Sequence, residues 1–449
     1  MILGRLFGTD GVRGVANKFL SPHLSYELAR AAGYVLSKNS RGKVIVGRDT
    51  RYSGDLIEAS LVAGFLSIGL DVDIAGVIPT PGIAYLTKNG DYLMGAVISA
   101  SHNPFEYNGI KFFSHDGFKL PDEVEDKIEQ IIYDDLKIYK DLTGDAIGRV
   151  NRNNEFLEKY KIYLKTLATK DFKGMKIGLD LGNGALSSIA GDLLKSLGAD
   201  VIEINRNPDG KNINNKCGST NPGLIKKLVL ENSCDMGMSF DGDADRIIAV
   251  DEKGEIVDGD HILAICASYL KKNGKLKNNT AVGTIMSNMG LEKFLSSIDV
   301  SFKATKVGDR YIIEEMLKND YIIGAEQSGH VIFLNHNTTG DGLATGINLL
   351  NIMKDEGKKL SDLNGLMISY PQVLQNAKVP EEIKRNIVDM PQIQEKIKKL
   401  DEKYSGRGRV IIRPSGTEPL VRVMIEGEDL NLIEEDAVNL KNYIEKEFN

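Results

Sequence analysis

The run Asp241-Gly242-Asp243-Ala244-Asp245-Arg246 alternates three carboxylates with the two smallest residues. It directly follows the apolar stretch Met236-Gly237-Met238-Ser239-Phe240, which reads as a strand. At a strand end this spacing can turn all three carboxylates toward one point, with Gly242 and Ala244 leaving the space clear. Converging negative charges repel strongly unless a cation sits among them. No His or Cys is interleaved, so the donors are all hard oxygens, which suit Mg²⁺ better than zinc. Arg246 is placed to hold an anionic group beside that metal. A lone DxD is more often an acidic surface turn; this run, after a buried-looking strand, favours a metal loop.

Ser101-His102-Asn103-Pro104 carries the second chemical argument. A serine hydroxyl accepts a phosphoryl group only where a metal and cationic side chains neutralise the developing charge. Pro104 restricts its predecessor and Asn103 can hydrogen-bond locally, so the loop is expected to be stiff. An isolated Ser-His pair would instead read as a cap in an ordinary strand-to-helix turn. Lys111, in Asn108-Gly109-Ile110-Lys111-Phe112-Phe113, is flanked by apolar residues that could lower its pKa toward that of a general base. Taken alone, such a lysine is more often a snorkelling surface residue.

Gly8-Thr9-Asp10-Gly11-Val12-Arg13-Gly14 is a glycine-rich loop bearing a guanidinium, and Gly47-Arg48-Asp49-Thr50-Arg51 reads as an internal salt-bridged turn. Glu326-Gln327-Ser328-Gly329-His330 could bind sugar hydroxyls or an amine, with His330 available for proton transfer. His23, His115, His261 and His336 lack comparable company and read as structural or surface residues. Arg413, Ser415, Gly416, Thr417 and Arg422 form an anion-binding set, against which stands a plain β-hairpin.

The elements that must position these residues repeat one plan. Strands at 43–47, 72–75 and 94–98, at 176–180, 201–204 and 236–240, and at 281–286, 300–304 and 321–324 alternate with amphipathic helices. Such alternation indicates βα units and mostly parallel sheets, whose functional residues gather beyond the carboxyl ends of strands. In each module a polar loop follows the third strand, which argues for three domains contributing one loop each to a shared cleft. The helices of these modules are expected at 55–69, after Pro79, at 186–197, 224–231, near Leu291 and at 311–318. The tail, with helices at 392–403 and 431–446 and strands at 409–413 and 420–426, reads as a smaller α+β domain. Polar stretches at 143–155 and 366–375 read as linkers.

The chain has 449 residues, 42% of them hydrophobic and 27% charged, which is ample for several buried cores. A net charge of −7 offers no global attraction to nucleic acid or an anionic membrane. Cys217, Cys234 and Cys266 form no paired framework, a pattern that suits a reducing cytosol. The first residues hold no apolar core of signal-peptide length, and no segment approaches ~20 apolar residues. The expectation is a cytoplasmic protein.

GTDGVRG (8–14), SASHNP (99–104), NGIKFF (108–113), DGDADR (241–246), AEQSGH (325–330) and RPSGTEP (413–419) together, in this order, resemble the α-D-phosphohexomutase family over essentially the whole chain. Ala325 replaces the family's usual glycine and Asn221 stands where many members carry histidine; neither departure implies a catalytic consequence. The resemblance implies an α/β fold of three similar βαβαβ domains with mixed, mostly parallel sheets, plus a smaller α+β C-terminal domain, around a central cleft. The expected domains are 1–152 with the phosphoserine loop, 153–253 with the metal loop, 254–366 with the sugar loop and 367–449 with the phosphate loop.

Carried over motif by motif, Ser101 is the phosphoserine and, with Asp241, Asp243 and Asp245, a ligand of Mg²⁺. Arg13, Lys111 and Arg246 surround the reacting phosphoryl group, and Lys111 and His330 are the acid/base candidates. Glu326 and Ser328 contact the sugar; Arg413, Ser415, Gly416, Thr417 and Arg422 grip the non-reacting phosphate. The implied activity moves a phosphoryl group between O6 and O1 of a hexose phosphate, through a 1,6-bisphosphate that turns over in the cleft. Gln327 and the PSGTEP form resemble the branch acting on glucosamine phosphates, where mannose and glucose enzymes usually carry methionine at the first position. Broader hexose specificity is the alternative. The implied cofactors are Mg²⁺ and glucosamine 1,6-bisphosphate, or another hexose 1,6-bisphosphate, as primer. The product would feed UDP-N-acetylglucosamine and cell-wall precursor synthesis. The implied partners are small sugar phosphates, with no nucleic acid or membrane, and a second copy forming a homodimer. A Mg²⁺-dependent phosphatase and a non-catalytic sugar-phosphate sensor are the competing classes; the first predicts free phosphate without isomer formation, the second binding without turnover.

Overall fold

The structure, a computed structural model, describes residues 5–8, 10–38, 40–134, 139–140, 142–153, 155–384, 386–414 and 420–448. The first sheet holds β1 (Val12–Val15), β2 (Lys43–Arg48), β3 (Asp71–Val77), β4 (Met94–Ile98), β5 (Tyr107–Ser114) and β6 (Val150–Arg152), in the order β1-β5-β4-β2-β3-β6. The second holds β7 (Lys176–Asp180), β8 (Asp200–Ile204), β9 (Met236–Phe240), β10 (Ile247–Asp251) and β11 (Ile256–Val257), in the order β11-β10-β9-β7-β8. The third holds β12 (Thr280–Thr284), β13 (Ser301–Thr305), β14 (Ile323–Ala325) and β15 (Val331–Phe333), in the order β13-β12-β14-β15.

All three share one topology. The module's first strand lies between its second and third, both parallel to it, and an antiparallel return strand flanks the third. Each functional loop therefore joins β4 to β5, β9 to β10 or β14 to β15, rather than a strand to a helix. The return strands escape a reading of module periodicity because β5 contains the NGIKFF motif itself and β10 starts immediately after Arg246. Central strands such as β4 are buried along their whole length, as expected where helices cover both faces. Beneath the first sheet, Val44, Val46, Ile98 and Ile110 pack with Ile57, Leu61 and Phe65 of the helix Gly54–Ser67.

Several expected boundaries shift. The helix expected at 186–197 is confined to Ala190–Ser196, because turns occupy Ala185–Ile189. The stretch 143–155 is not simply a linker: β6 adds to the sheet edge, parallel to β3. By its contacts the chain divides into two units, Met1–Ser287 with Ile298–Leu366, and Asn288–Ser297 with Met367–Asn449. The helix near Leu291, read as part of the third module, is Met289–Ser297 and groups with the second unit. There Met289 N donates to Glu426 Oε1 at 2.9 Å, and Asn288 Oδ1 accepts from Tyr370 N at 2.9 Å.

That unit contains β16 (Gln372–Lys378), β17 (Gly408–Pro414) and β18 (Leu420–Gly427), antiparallel in the order β16-β18-β17. β16 starts inside the stretch 366–375 expected to be a linker. The helices Pro391–Tyr404 and Leu430–Phe448 contribute Ile393, Ile433, Leu440 and Ile444 to a core shared with Val421, Val423 and Ile425.

Candidate active site

The loop after β9 brings one carboxylate oxygen from each of Asp241, Asp243 and Asp245 within 4.8 Å of one another, all buried. Burial and the two neighbouring carboxylates push the Asp241 carboxyl well above its ordinary range. Asp243 Oδ1 and Asp245 Oδ1 are buried with no hydrogen-bond partner among the described residues. Buried oxygens without donors are costly unless something else satisfies them. An all-oxygen donor set that includes buried oxygens without hydrogen-bond donors fits a hard divalent cation.

Ser101, in the loop after β4, meets this cluster: its Oγ donates to Asp241 Oδ2 at 2.6 Å. Its backbone is left-handed, with φ of 52°, and its N–H donates to Ser99 Oγ at 2.9 Å. Ser99 in turn donates to Asp49 Oδ2 at 2.6 Å, and Asp49 is bridged by Arg51 Nε at 2.9 Å. The expected salt-bridged turn is present, and it supports the serine loop from beneath. Burial, then Arg246 and Arg13, lower the His102 pKa to about 4. Its Nδ1 lies 3.2 Å from Arg246 Nη1 and must accept there, because a guanidinium only donates.

Lys111 Nζ lies 2.9 Å from Asp243 Oδ2, 3.3 Å from Asp245 Oδ2 and 3.1 Å from Asp10 Oδ2. Burial alone would lower its pKa, but Asp243 and Asp245 outweigh burial and hold it above its ordinary value. The expectation of a lowered pKa is overturned, and Lys111 stands as a buried ammonium. Arg246 N donates to Asp241 Oδ1 at 3.2 Å. Arg13, on β1, pairs with Asp10 in the turn before it, and β1 lies antiparallel to the β5 strand carrying Lys111. Gly11 makes that approach possible: at φ 79°, a Cβ there would sit 2.3 Å from the Ile110 carbonyl oxygen.

In the loop after β14, His330 is buried and Ser328 is exposed. Gly340 N donates to His330 Nε2 at 3.0 Å, which leaves the ring proton on Nδ1, 3.7 Å from Asp245 Oδ2. Half-buried Glu326 accepts from Gly308 N at 3.1 Å. Ser101, Lys111, Arg13, Arg246, His330 and the three aspartates are thus brought together by an ion-pair and hydrogen-bond network. Three members were not singled out from sequence. Asp10 pairs with Arg13 and Lys111, Lys119 Nζ lies 2.6 Å from Asp309 Oδ2, and Asp309 Oδ2 lies 3.4 Å from His330 Nε2. Asp10 sits inside the GTDGVRG motif; Lys119 and Asp309 carry no local signal, since an acid opening a helix and a lysine after a hairpin are commonplace.

Family models of the phosphoglucomutase/phosphomannomutase domains match in order: domain I over residues 4–138, II over 154–254, III over 258–370 and the C-terminal domain over 374–440. A phosphoglucosamine mutase from Alkaliphilus oremlandii is 56% identical over 452 residues, covering all of both chains. The chain belongs to the α-D-phosphohexomutase family. A phosphoglucosamine mutase from a Thermoanaerobacter strain is 53% identical, again over all of both chains. A phosphoglucomutase/phosphomannomutase family protein from Burkholderia thailandensis has the same fold, with a TM-score of 0.82 at 23% identity over 100% of this chain and 99% of that one. So does an Aspergillus fumigatus N-acetylphosphoglucosamine mutase solved with GlcNAc-6P and magnesium, with a TM-score of 0.71 at 18% identity over 99% of this chain and 96% of that one.

The remaining expected residues lie in the second unit. Arg413 and Arg422 are direct cross-strand partners on β17 and β18. Like charges in that register destabilise a hairpin unless an anion or a carboxylate offsets them. Ser415, Gly416 and Thr417 lie outside the described residues. No helix among the described residues is long and apolar enough to cross a membrane.

Proposed function

We propose that this phosphohexomutase is a phosphoglucosamine mutase, interconverting glucosamine 6-phosphate and glucosamine 1-phosphate through a phosphoserine at Ser101 and a 1,6-bisphosphate intermediate. The observation that carries the reading is Ser101 Oγ, 2.6 Å from Asp241 in a buried ring of carboxylates and cations. The glucosamine assignment rests on relatives of that name at 51–56% identity across the whole chain.

Mg²⁺ held by Asp241, Asp243, Asp245 and the serine phosphate would draw charge from the transferring group and orient it. The chain's own cations do the rest. Arg246, beside His102 and Asp241, and Arg13, beside Asp10, neutralise the equatorial oxygens as charge spreads over them. Lys111, held as an ammonium, adds charge at the same centre. The phosphorus–Oγ bond of phosphoserine breaks as a bond to O1 of glucosamine 6-phosphate forms; the departing Oγ takes a proton from the Lys111 ammonium, and the O1 proton passes to His330. In the second half-reaction the phosphorus–O6 bond breaks as the phosphoryl group bonds to Ser101 Oγ, whose proton returns to Lys111, and O6 takes the proton held by His330. Glu326 and Ser328 hold the sugar ring, while Arg413, Ser415, Gly416, Thr417 and Arg422 grip the phosphate that does not react. A hexose 1,6-bisphosphate primes the enzyme by phosphorylating Ser101.

The test is ³¹P NMR of the purified protein with Mg²⁺, glucosamine 6-phosphate and a trace of hexose 1,6-bisphosphate, with glucose and mannose phosphates in parallel. A 1-phosphate signal growing fastest from glucosamine 6-phosphate is the expected result. Faster conversion of glucose or mannose overturns the substrate, and free phosphate without isomer overturns the mutase.

A further inference from the structure

We infer that Asn214, from the second domain, is a positioning residue for phosphoryl transfer, acting with Arg51 by fixing the Ser101 carbonyl and so the direction of Ser101 Oγ. This rests on Ser101 being the phosphoryl carrier. Asn214 Nδ2 donates to Ser101 O at 2.9 Å and to Asn103 O at 3.3 Å. The same Ser101 oxygen accepts from Arg51 Nη2 at 2.8 Å. Arg51 is fully buried, tied to Asp49, and its Nη1 also donates to the Pro104 and Tyr107 carbonyls. Donors from two domains therefore saturate one carbonyl. A third side is closed as well: a Cβ on Gly242 would lie 2.7 Å from Ser101 O and 3.0 Å from Asn214 Nδ2.

This carbonyl belongs to a residue with φ of 52°, a conformation that serine adopts only where its surroundings impose it. Releasing the carbonyl would let the 101–102 peptide rotate and swing Oγ off its 2.6 Å approach to Asp241. Asn214 is itself prepared for the task, with a left-handed backbone at φ 57° and its N–H on Gly182 O at 2.9 Å. Its amide orientation follows from its partners, since both carbonyls can only accept. Phosphoryl transfer depends chiefly on placement, and misplacement by about 1 Å can cost about 100-fold in rate.

The experiment compares full-length wild type, Asn214→Asp, Asn214→Gly and Ser101→Ala. Asn214→Asp keeps the shape and the left-handed preference but removes the donor; Asn214→Gly keeps the backbone freedom without the amide. The expected result for both Asn214 variants is a kcat loss of about 10- to 100-fold, with KM within about twofold. The ³¹P shift of the phosphoserine should also move, with the melting temperature little changed. A merely structural role would lower the melting temperature and leave kcat per folded molecule unchanged. That outcome, or wild-type kcat in either folded variant, overturns the proposal. Wild-type turnover by Ser101→Ala overturns the underlying mechanism instead.

Discussion

Lys119 Nζ and Asp309 Oδ2 lie 2.6 Å apart although 190 residues separate them, and this pair ties the first domain to the start of the helix Asp309–Asn319 in the third. Lys119 also pairs with Asp10, and Asp309 reaches His330. The next residue, Arg310, binds Glu125 at 2.8 Å, so two adjacent charges of opposite sign dock onto one segment of the first domain. The Lys119–Asp309 pair thereby links Asp10, beside Lys111, to Asp309, beside His330.

Breaking the pair from one side removes a close partner of a buried charge, leaving Lys119 with Asp10 and Asp309 with His330. Lys119→Met or Asp309→Asn should each destabilise by up to about 3 kcal/mol, and the double variant by less than the sum. Urea unfolding of the four proteins in a double-mutant cycle measures the coupling. Additive losses would show that the two side chains act independently.

Acid should weaken the same contact in a defined window. Burial would raise the Asp309 pKa, but the Lys119 ammonium holds it down to about 2, against 3.8 ordinarily. A depressed carboxyl contributes stability that is complete above its unfolded pKa and lost as pH falls through its folded one. Wild type should therefore lose stability relative to Asp309→Asn as pH drops from 3.8 toward 2. Parallel loss in both proteins would assign the acid transition to other groups.

Asp341 titrates in the opposite sense. Burial raises its pKa to about 6, with Tyr160 Oη and Ala344 N donating to it. Its stabilising form is the protonated one, fully present below 3.8 and lost as pH rises through about 6. Asp341→Asn should flatten the stability curve in that interval, gaining roughly 3 kcal/mol relative to wild type between its two ends. Unfolding free energies at both ends decide it.

Replacing Ser101 with alanine should abolish mutase activity while leaving the fold intact, with the melting temperature within about 4 °C of wild type. Calorimetry beside the ³¹P assay separates loss of chemistry from loss of structure.

Mg²⁺ should stabilise the protein as well as activate it. At a concentration of 100 Kd the gain is about 2.7 kcal/mol, seen as a rise in melting temperature that a chelator reverses. Asp243→Asn should lose most of that rise, since Asp243 Oδ1 is among the orphaned oxygens. An undiminished rise would place the metal elsewhere.

Arg413→Ala and Arg422→Ala should each raise the KM for the sugar phosphate by about 10-fold or more, as expected from losing a charge-assisted bond of roughly 1.5–3 kcal/mol. Steady-state kinetics with glucosamine 6-phosphate tests both. An unchanged KM would remove these arginines from phosphate binding.

The amino-acid sequence by itself determined which residues can do chemistry and that a polar loop follows the third strand of each module. Both are local properties, set by spacing and periodicity within a few residues. What the loops connect was decided by tertiary structure, since a return strand is known as one only from the neighbour it pairs with. Lys111 makes the same point. Ile110 and Phe112 flank it in the chain and suggest an apolar cradle, but alternate residues of β5 face opposite sides of the sheet. Those two enter the hydrophobic core, while Lys111 faces Asp243 and Asp245. The meetings of Lys119 with Asp309 and of Asn214 with Ser101 likewise join residues more than 100 positions apart, so only the packed domains bring them together.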